Sequence, residues 1–281
     1  MDYEIYQEEG LVLCECDGRF RLYDLNRKKS VFDTDLKYLR VETESGLIFT
    51  PDKVYSLAGK ELFRMLSSKE APVKIIRFRK NILLISEMNG LCHVILWNGS
   101  SILLELHGFE VIRHRHFFAV KTEKCWRIFK ACGTEITLEE LILPEKSLDF
   151  GFDFIVCGQA GSYELYSLTD GNFIAGGFIK VIPSKTSHFA LCFSVSDRLF
   201  LHLVYCSLEL RLAHLLVENK QWLSVEADDG YILSEKHRTF AVRRGDKFFL
   251  YEFDGTQYSD ASFEQGFDFA CMKGGILLTR N

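Results

Sequence analysis

The strongest constraint on this chain is a recurrence. The stretch His116–Glu135, HFFAVKTEKCWRIFKACGTE, returns without a gap at Arg238–Gln257 as RTFAVRRGDKFFLYEFDGTQ. Phe118, Ala119 and Val120 match Phe240, Ala241 and Val242, and Gly133-Thr134 matches Gly255-Thr256. The central residues of all apolar runs of this type are Val12, Ile48, Leu84, Ala119, Ile155, Leu191, Ala241 and Leu277. Their spacings are 36, 36, 35, 36, 36, 50 and 36 residues. A fixed period of this size marks a repeat architecture, in which one supersecondary unit is stacked many times.

Each unit follows one plan. An apolar strand comes first, as in GLIFT (46–50) or HFALCF (188–193), and a polar turn such as Glu15-Cys16-Asp17-Gly18 follows. The second strand alternates in character, as in RFRLYDL (19–25), CWRIFKA (125–131), SYELYSL (162–168) and KFFLYEF (247–253). Period-two alternation is the signature of a half-buried strand. A glycine turn closes it at Ala58-Gly59, Asn98-Gly99, Cys132-Gly133, Asp170-Gly171 and Asp254-Gly255, and Asn26 holds that place in the first unit. Such dipeptides suit hairpin turns, which need positive φ. Third strands are read at SILLEL (101–106), EITLEEL (135–141) and NFIAGG (172–177), and fourth strands at PVKIIRF (72–78), FEVIRH (109–114) and FIKVIP (178–183).

Four short antiparallel strands every 36 residues or so is the β-propeller plan. The chain resembles divergent propeller repeats along its whole length. It lacks the Gly-His and Trp-Asp pairs of WD40 blades and the paired glycines of kelch, and KACGTEI resembles a WG-type repeat without the Trp-Gly pair. The resemblance implies an all-β propeller fold; the seven intervals suggest seven blades, and with no linker interrupting the pattern the reading is a single domain over 1–281. The long interval places an insertion in the sixth repeat, at about 203–224. Both ends, YEIYQEEGLVLC (3–14) and GFDFACMKGGILLT (266–279), carry the same strand pair, although a closed ring of seven needs it once.

Composition agrees with this plan. With 47% hydrophobic residues, 24 Phe and only four Pro in 281 residues, the chain has ample apolar and aromatic material for sheets. A net charge of −5 argues against a nucleic-acid-binding surface, which leaves a basic footprint. Nine scattered cysteines, most of them inside apolar runs, read as small hydrophobes in a reducing compartment. The opening MDYEIYQEEG carries neither a basic n-region nor an apolar h-region, and no apolar run is long enough to span a membrane as a helix. The expectation is a cytoplasmic protein.

Candidate sites are few. The excursion LVYCSLELRLAHLLVENKQWLS (203–224) reads as two strands through Leu208, Leu210 and Leu212, or as a helix through Leu208, Leu212, Leu215 and Leu216. An elaborated loop on a rigid scaffold is where partner contacts are placed. Leu208, Arg211, His214 and Trp222 are therefore the partner-binding candidates. Arg113 and Arg115, in the run Arg113-His114-Arg115-His116, are a candidate anion contact; on a strand they would share one face. Cys14-x-Cys16 is too short for a zinc knuckle and reads as packing. The aromatics Tyr23, Tyr55, Trp97, Trp126, Tyr166 and Tyr251 read as packing between repeats. No nucleophile elbow, P-loop, dinucleotide fingerprint or HExxH occurs, and no catalytic residue, cofactor or metal site is assigned. The expected function is a non-catalytic protein–protein interaction module with another protein as partner. The alternative is a hydrolase or lyase with its site at the mouth of the central channel. Convergent titratable groups in one pocket would favour the enzyme, and an exposed apolar or aromatic patch the binding module.

Overall fold

The computed structural model describes residues 2–32, 36–138, 140–187, 189–195, 199–205, 223–226, 229–253, 256–258, 269–273 and 276–280. For 194–195, 199–205, 223–226, 269–273 and 276–280 the backbone alone is described. The structure is built from antiparallel strands. Among the described residues the one helical turn is Thr43–Ser45.

The first sheet is Asp2–Tyr6, Leu11–Cys16, Arg19–Asp24 and Lys29–Ser30, in sequence order. The second is Arg40–Glu42, Leu47–Phe49, Lys53–Ser56 and Glu61–Arg64, and the third is Lys74–Arg77, Ile82–Met88, Leu91–Trp97 and Ile102–Gly108. The fourth is Glu110–His114, Phe117–Lys121, Trp126–Lys130 and Glu135–Ile136. A seven-stranded sheet follows: Ser147–Phe150, Phe154–Gln159, Ser162–Ser167, Phe173–Pro183, Phe189–Val195, Leu199–Tyr205 and Leu223–Glu226. Next come Asp229–Ser234, Thr239–Arg244 and Lys247–Glu252, with a bridge from Tyr251 to Gln257, and then the hairpin Phe269–Lys273/Ile276–Arg280.

Seven of the eight repeat centres lie in the second strand of their sheet, and Leu191 lies in the fifth strand of the seven-stranded one. The phase differs from the sequence reading by one strand. Each segment read as the fourth strand of a unit pairs instead with the apolar strand after it, as Lys74–Arg77 does with Ile82–Met88. The segment at 135–141 is shorter than expected, with strand only at Glu135–Ile136. It lies at a sheet edge, where one side of the ladder is missing. The segments 172–177 and 178–183 form one strand with no turn between them. Its first half pairs with Ser162–Ser167 and its second with Phe189–Val195, and Phe178 pairs with Tyr163 on one side and Ser194 on the other. Gly177, at φ +81°, bends it there.

The contacts divide the chain into two compact units, Met1–Glu123 with Phe129–Glu135, and Lys124–Ile128 with Ile136–Asn281. In the first, alternate residues of a second strand enter different interfaces. Leu47 and Phe49 pack with Val73, Leu84 and Ile95 of the third sheet, whereas Ile48 packs with Leu11, Leu13, Phe20 and Leu22 of the first. Leu83 and Ile85 turn away from Leu84 to meet Phe118, Val120 and Phe129. The second unit repeats the pattern. Ala190 and Cys192 face Phe154 and Val156, while Phe189, Leu191 and Phe193 face Phe240, Val242 and Phe253. A strand buried on both faces must be apolar at every position, which is why these strands read as unbroken apolar runs.

Turn chemistry holds the hairpins. Asp17 and Gly18 (φ 51° and 71°) and Asn89 and Gly90 (φ 53° and 76°) adopt the paired positive φ of a type I′ turn. In the first sheet Lys28, not Asn26, takes the left-handed conformation (φ 53°), and the Asp24 carboxylate accepts the Arg27 N–H at 2.9 Å. That acceptor fixes the turn and moves the positive-φ position two residues along.

Two substitutions test this account. At Gly171 (φ +82°) a Cβ would lie 2.2 Å from the Thr137 carbonyl oxygen. Gly171→Ala is expected to destabilise the chain by at least about 2 kcal/mol, read by denaturant unfolding. Phe240 is fully buried against Phe189 (5.4 Å), Tyr251 (5.2 Å) and Phe253 (6.5 Å). Phe240→Ala is expected to cost about 3–5 kcal/mol in the same measurement.

Candidate functional site

The first unit carries an open groove of about 730 Å³. It lies between the strand Asp2–Tyr6 and the run Tyr38–Val41. Register fixes which side chains face it. Asp2, Glu4 and Tyr6 pair with Glu15, Leu13 and Leu11, so these six residues share one face of the first sheet. Leu13, Phe20, Leu39 and Val41 give the groove an apolar floor.

Lys69 comes from the turn after the second sheet. Ser67 Oγ donates to the Thr50 carbonyl at 2.9 Å, and Ser68 Oγ accepts the Ala71 N–H at 2.9 Å, which holds that turn. Lys69 Nζ then reaches Glu15 Oε1 at 2.9 Å and sits 4.4 Å from the centre of the Phe20 ring. Arg40 is turned aside: its guanidinium pairs with Glu42 at 2.8 Å and donates to the Val73 carbonyl at 3.1 Å. Among the described residues Asp2 and Glu4 make no ion pair. Burial, with Glu4 beside it, holds the Tyr6 hydroxyl protonated well above the usual tyrosine range, and burial raises Tyr38 likewise. The groove therefore offers carboxylates, protonated phenols and aromatic faces. That is the chemistry of cation recognition.

The other candidates fall out as follows. Leu208, Arg211, His214 and Trp222 lie outside the described residues. The ends of their excursion are described: Leu203 pairs with Leu223 across Leu199–Tyr205 and Leu223–Glu226. The insertion thus stands between third and fourth strands, where other units place a glycine turn. Arg113 lies on the strand Glu110–His114, opposite Phe118, and is exposed. Arg115 does not continue that strand. With His116 it forms the turn to Phe117–Lys121, at φ 44°, so the alternation expected over residues 113–116 ends at His114. Trp97, Trp126, Tyr166 and Tyr251 are buried, and Trp126 Nε1 donates to the Lys146 carbonyl at 3.0 Å. These rings are packing, as their positions suggested. Among the described residues no three His, Cys, Asp or Glu side chains are grouped to hold a metal, and no helix is long and apolar enough to cross a membrane.

The cysteines separate by environment. Burial, then Glu164 3.7 Å away, pushes the Cys157 thiol up to about 12, and burial raises Cys192 and Cys92. Cys132 is exposed, and its hydrogen bond with the Thr134 hydroxyl at 3.3 Å lowers its thiol. The groove carries no sequence signature, because its parts come from five separate strands, runs and turns. Glu15 and Lys69 stand 54 positions apart.

Consecutive four-stranded antiparallel sheets, packed face to face through alternate residues of their second strands, define a divergent all-β propeller repeat. No family model matches the chain, and no curated protein matches it in sequence. Among solved structures it is similar to Hsv2p of Kluyveromyces lactis, at 10% identity over 92% of this chain and 97% of that one, with a TM-score of 0.38. It is likewise similar to the WD40 domain of SCAP from fission yeast, at 9% identity over 92% and 86%, TM-score 0.34. A eukaryotic initiation factor matches at 10% identity over 92% and 76%, TM-score 0.43. The fold assignment rests on the sheets of this chain.

Thiol environment gives a direct check. At neutral pH, iodoacetamide followed by peptide mass spectrometry is expected to label Cys132 well before Cys92, Cys157 and Cys192, because the thiolate is the reactive form. Thr134→Val should slow labelling at Cys132 alone.

Proposed function

We propose that the chain is a non-catalytic protein-interaction module, a β-propeller over residues 1–281 that binds another protein. The observation that carries this reading is the pairing of Leu203 with Leu223. Residues 206–222 join two strands whose ends are already paired, and a turn of a few residues would be enough to connect them. Within them Leu208, Arg211, His214 and Trp222 supply an apolar, basic and aromatic mixture of the kind enriched at interfaces.

Excision tests the reading. Replacing 206–222 by Asn-Gly leaves Val204 and Tyr205 to complete a short turn between paired strands. The variant is expected to keep its far-ultraviolet circular dichroism and its unfolding midpoint, and to lose the partners recovered by affinity pull-down with the intact chain. Full recovery of those partners by a folded variant removes this surface from the proposal.

A further inference from the structure

The groove and the strand beside it point to a partner of definite chemistry. Among the described residues Asp2–Tyr6 is the edge strand of the first sheet, paired with Leu11–Cys16 alone, and it is exposed over most of its length. Exposed edges are ordinarily blunted by lysine, proline or a bulge. This one has none of these: its sequence is DYEIY and its register with Leu11–Cys16 runs without a shift. Its side chains divide by face. Asp2, Glu4 and Tyr6 border the groove; Ile5 projects on the opposite face, exposed, and Tyr3, exposed as well, alternates with them yet also reaches the groove rim.

We propose that this edge receives an extended segment of a partner protein in which basic and apolar residues alternate, added as a further strand of the first sheet. Main-chain hydrogen bonds to the open edge give such a segment its alignment, and alternate side chains give specificity. Lysines or arginines on the groove side meet Asp2, Glu4 and the rings of Tyr6 and Tyr38. Apolar residues on the other side cover Tyr3 and Ile5. The chain already shows the basic half of this recognition in Lys69, which is held between the Glu15 carboxylate and the Phe20 ring. The same carboxylates exclude the alternatives: an acidic strand meets like charge, and so does a second copy of DYEIY. The inference rests on the reading of the chain as a protein-binding module, and it is independent of residues 206–222.

The test uses the full chain and a fluorescein-labelled peptide of about nine residues that alternates lysine and valine. Anisotropy titration at low salt is expected to show saturable binding that weakens as salt rises. The double variant Asp2→Asn, Glu4→Gln, at exposed positions and folded by circular dichroism, should bind about tenfold more weakly or worse. A peptide N-methylated at alternate amides keeps the charge, loses the ladder and should likewise fail, as should a glutamate–valine peptide. The proposal is overturned by absence of lysine–valine binding, by equal binding to the double variant, or by equal binding of the N-methylated peptide. Displacement by equimolar spermine would reduce the groove to a general cation site and overturns strand addition. Concentration-dependent dimerisation that blocks the peptide would assign the edge to a second copy instead. Loss of native partners in the 206–222 excision with no peptide binding here discards the groove and leaves the module reading standing.

Discussion

Leu83, Leu84 and Ile85 are adjacent in sequence, yet they enter two different interfaces, Leu84 toward the second sheet and its neighbours toward the fourth. The same division occurs at Leu47, Ile48 and Phe49, and again from Phe189 to Phe193. The rest of the fold depends on this two-sided burial. A single sheet of this size has too little apolar surface on one face to stand alone, so stacking is what stabilises each repeat. It also fixes register, because a slip of one residue exchanges every side chain between two interfaces packed for different partners.

Two-sided burial also decides what the sequence could reveal. A run such as FFAV or ILLIS is apolar at every position because neither face meets water, and the eight runs stand out at near-constant spacing. The phase of the repeat is harder to read. The third sheet ends at Gly108 and the fourth begins at Glu110, with Phe109 alone between them. A junction that short has no linker composition to mark which strand belongs to which sheet. The turn at Asn26 was misplaced because Asp24, two residues earlier, caps the turn and leaves Lys28 in the left-handed region. Arg113 and Arg115 would share a face only if the strand ran on through residue 116, and it ends at His114.

The groove illustrates a different limit. Glu4, Glu15, Tyr38 and Lys69 are unremarkable in sequence, and only folding brings them together. Their meeting depends on side-chain direction along an edge strand and on a turn anchored by Ser67 and Ser68. Repeat periodicity describes the interior, which each copy must satisfy in the same way. The two surfaces proposed for binding fall where the period is not obeyed: at the edge strand Asp2–Tyr6 and in the interval stretched to 50 residues. That division of labour is general for repeat scaffolds, where the core tolerates little change and the margins tolerate much.

The strand Phe173–Pro183 links two repeats without a loop, exchanging partners at Phe178. In an ordinary solenoid or blade array, neighbouring copies meet only through side-chain contact, and a terminal copy can fray while the next stays native. Here the two copies are spliced through one continuous backbone. To melt the fifth repeat is to release the first strand of the sixth, and the reverse holds as well. The two repeats are therefore expected to open together, as one block of seven strands, rather than one after the other.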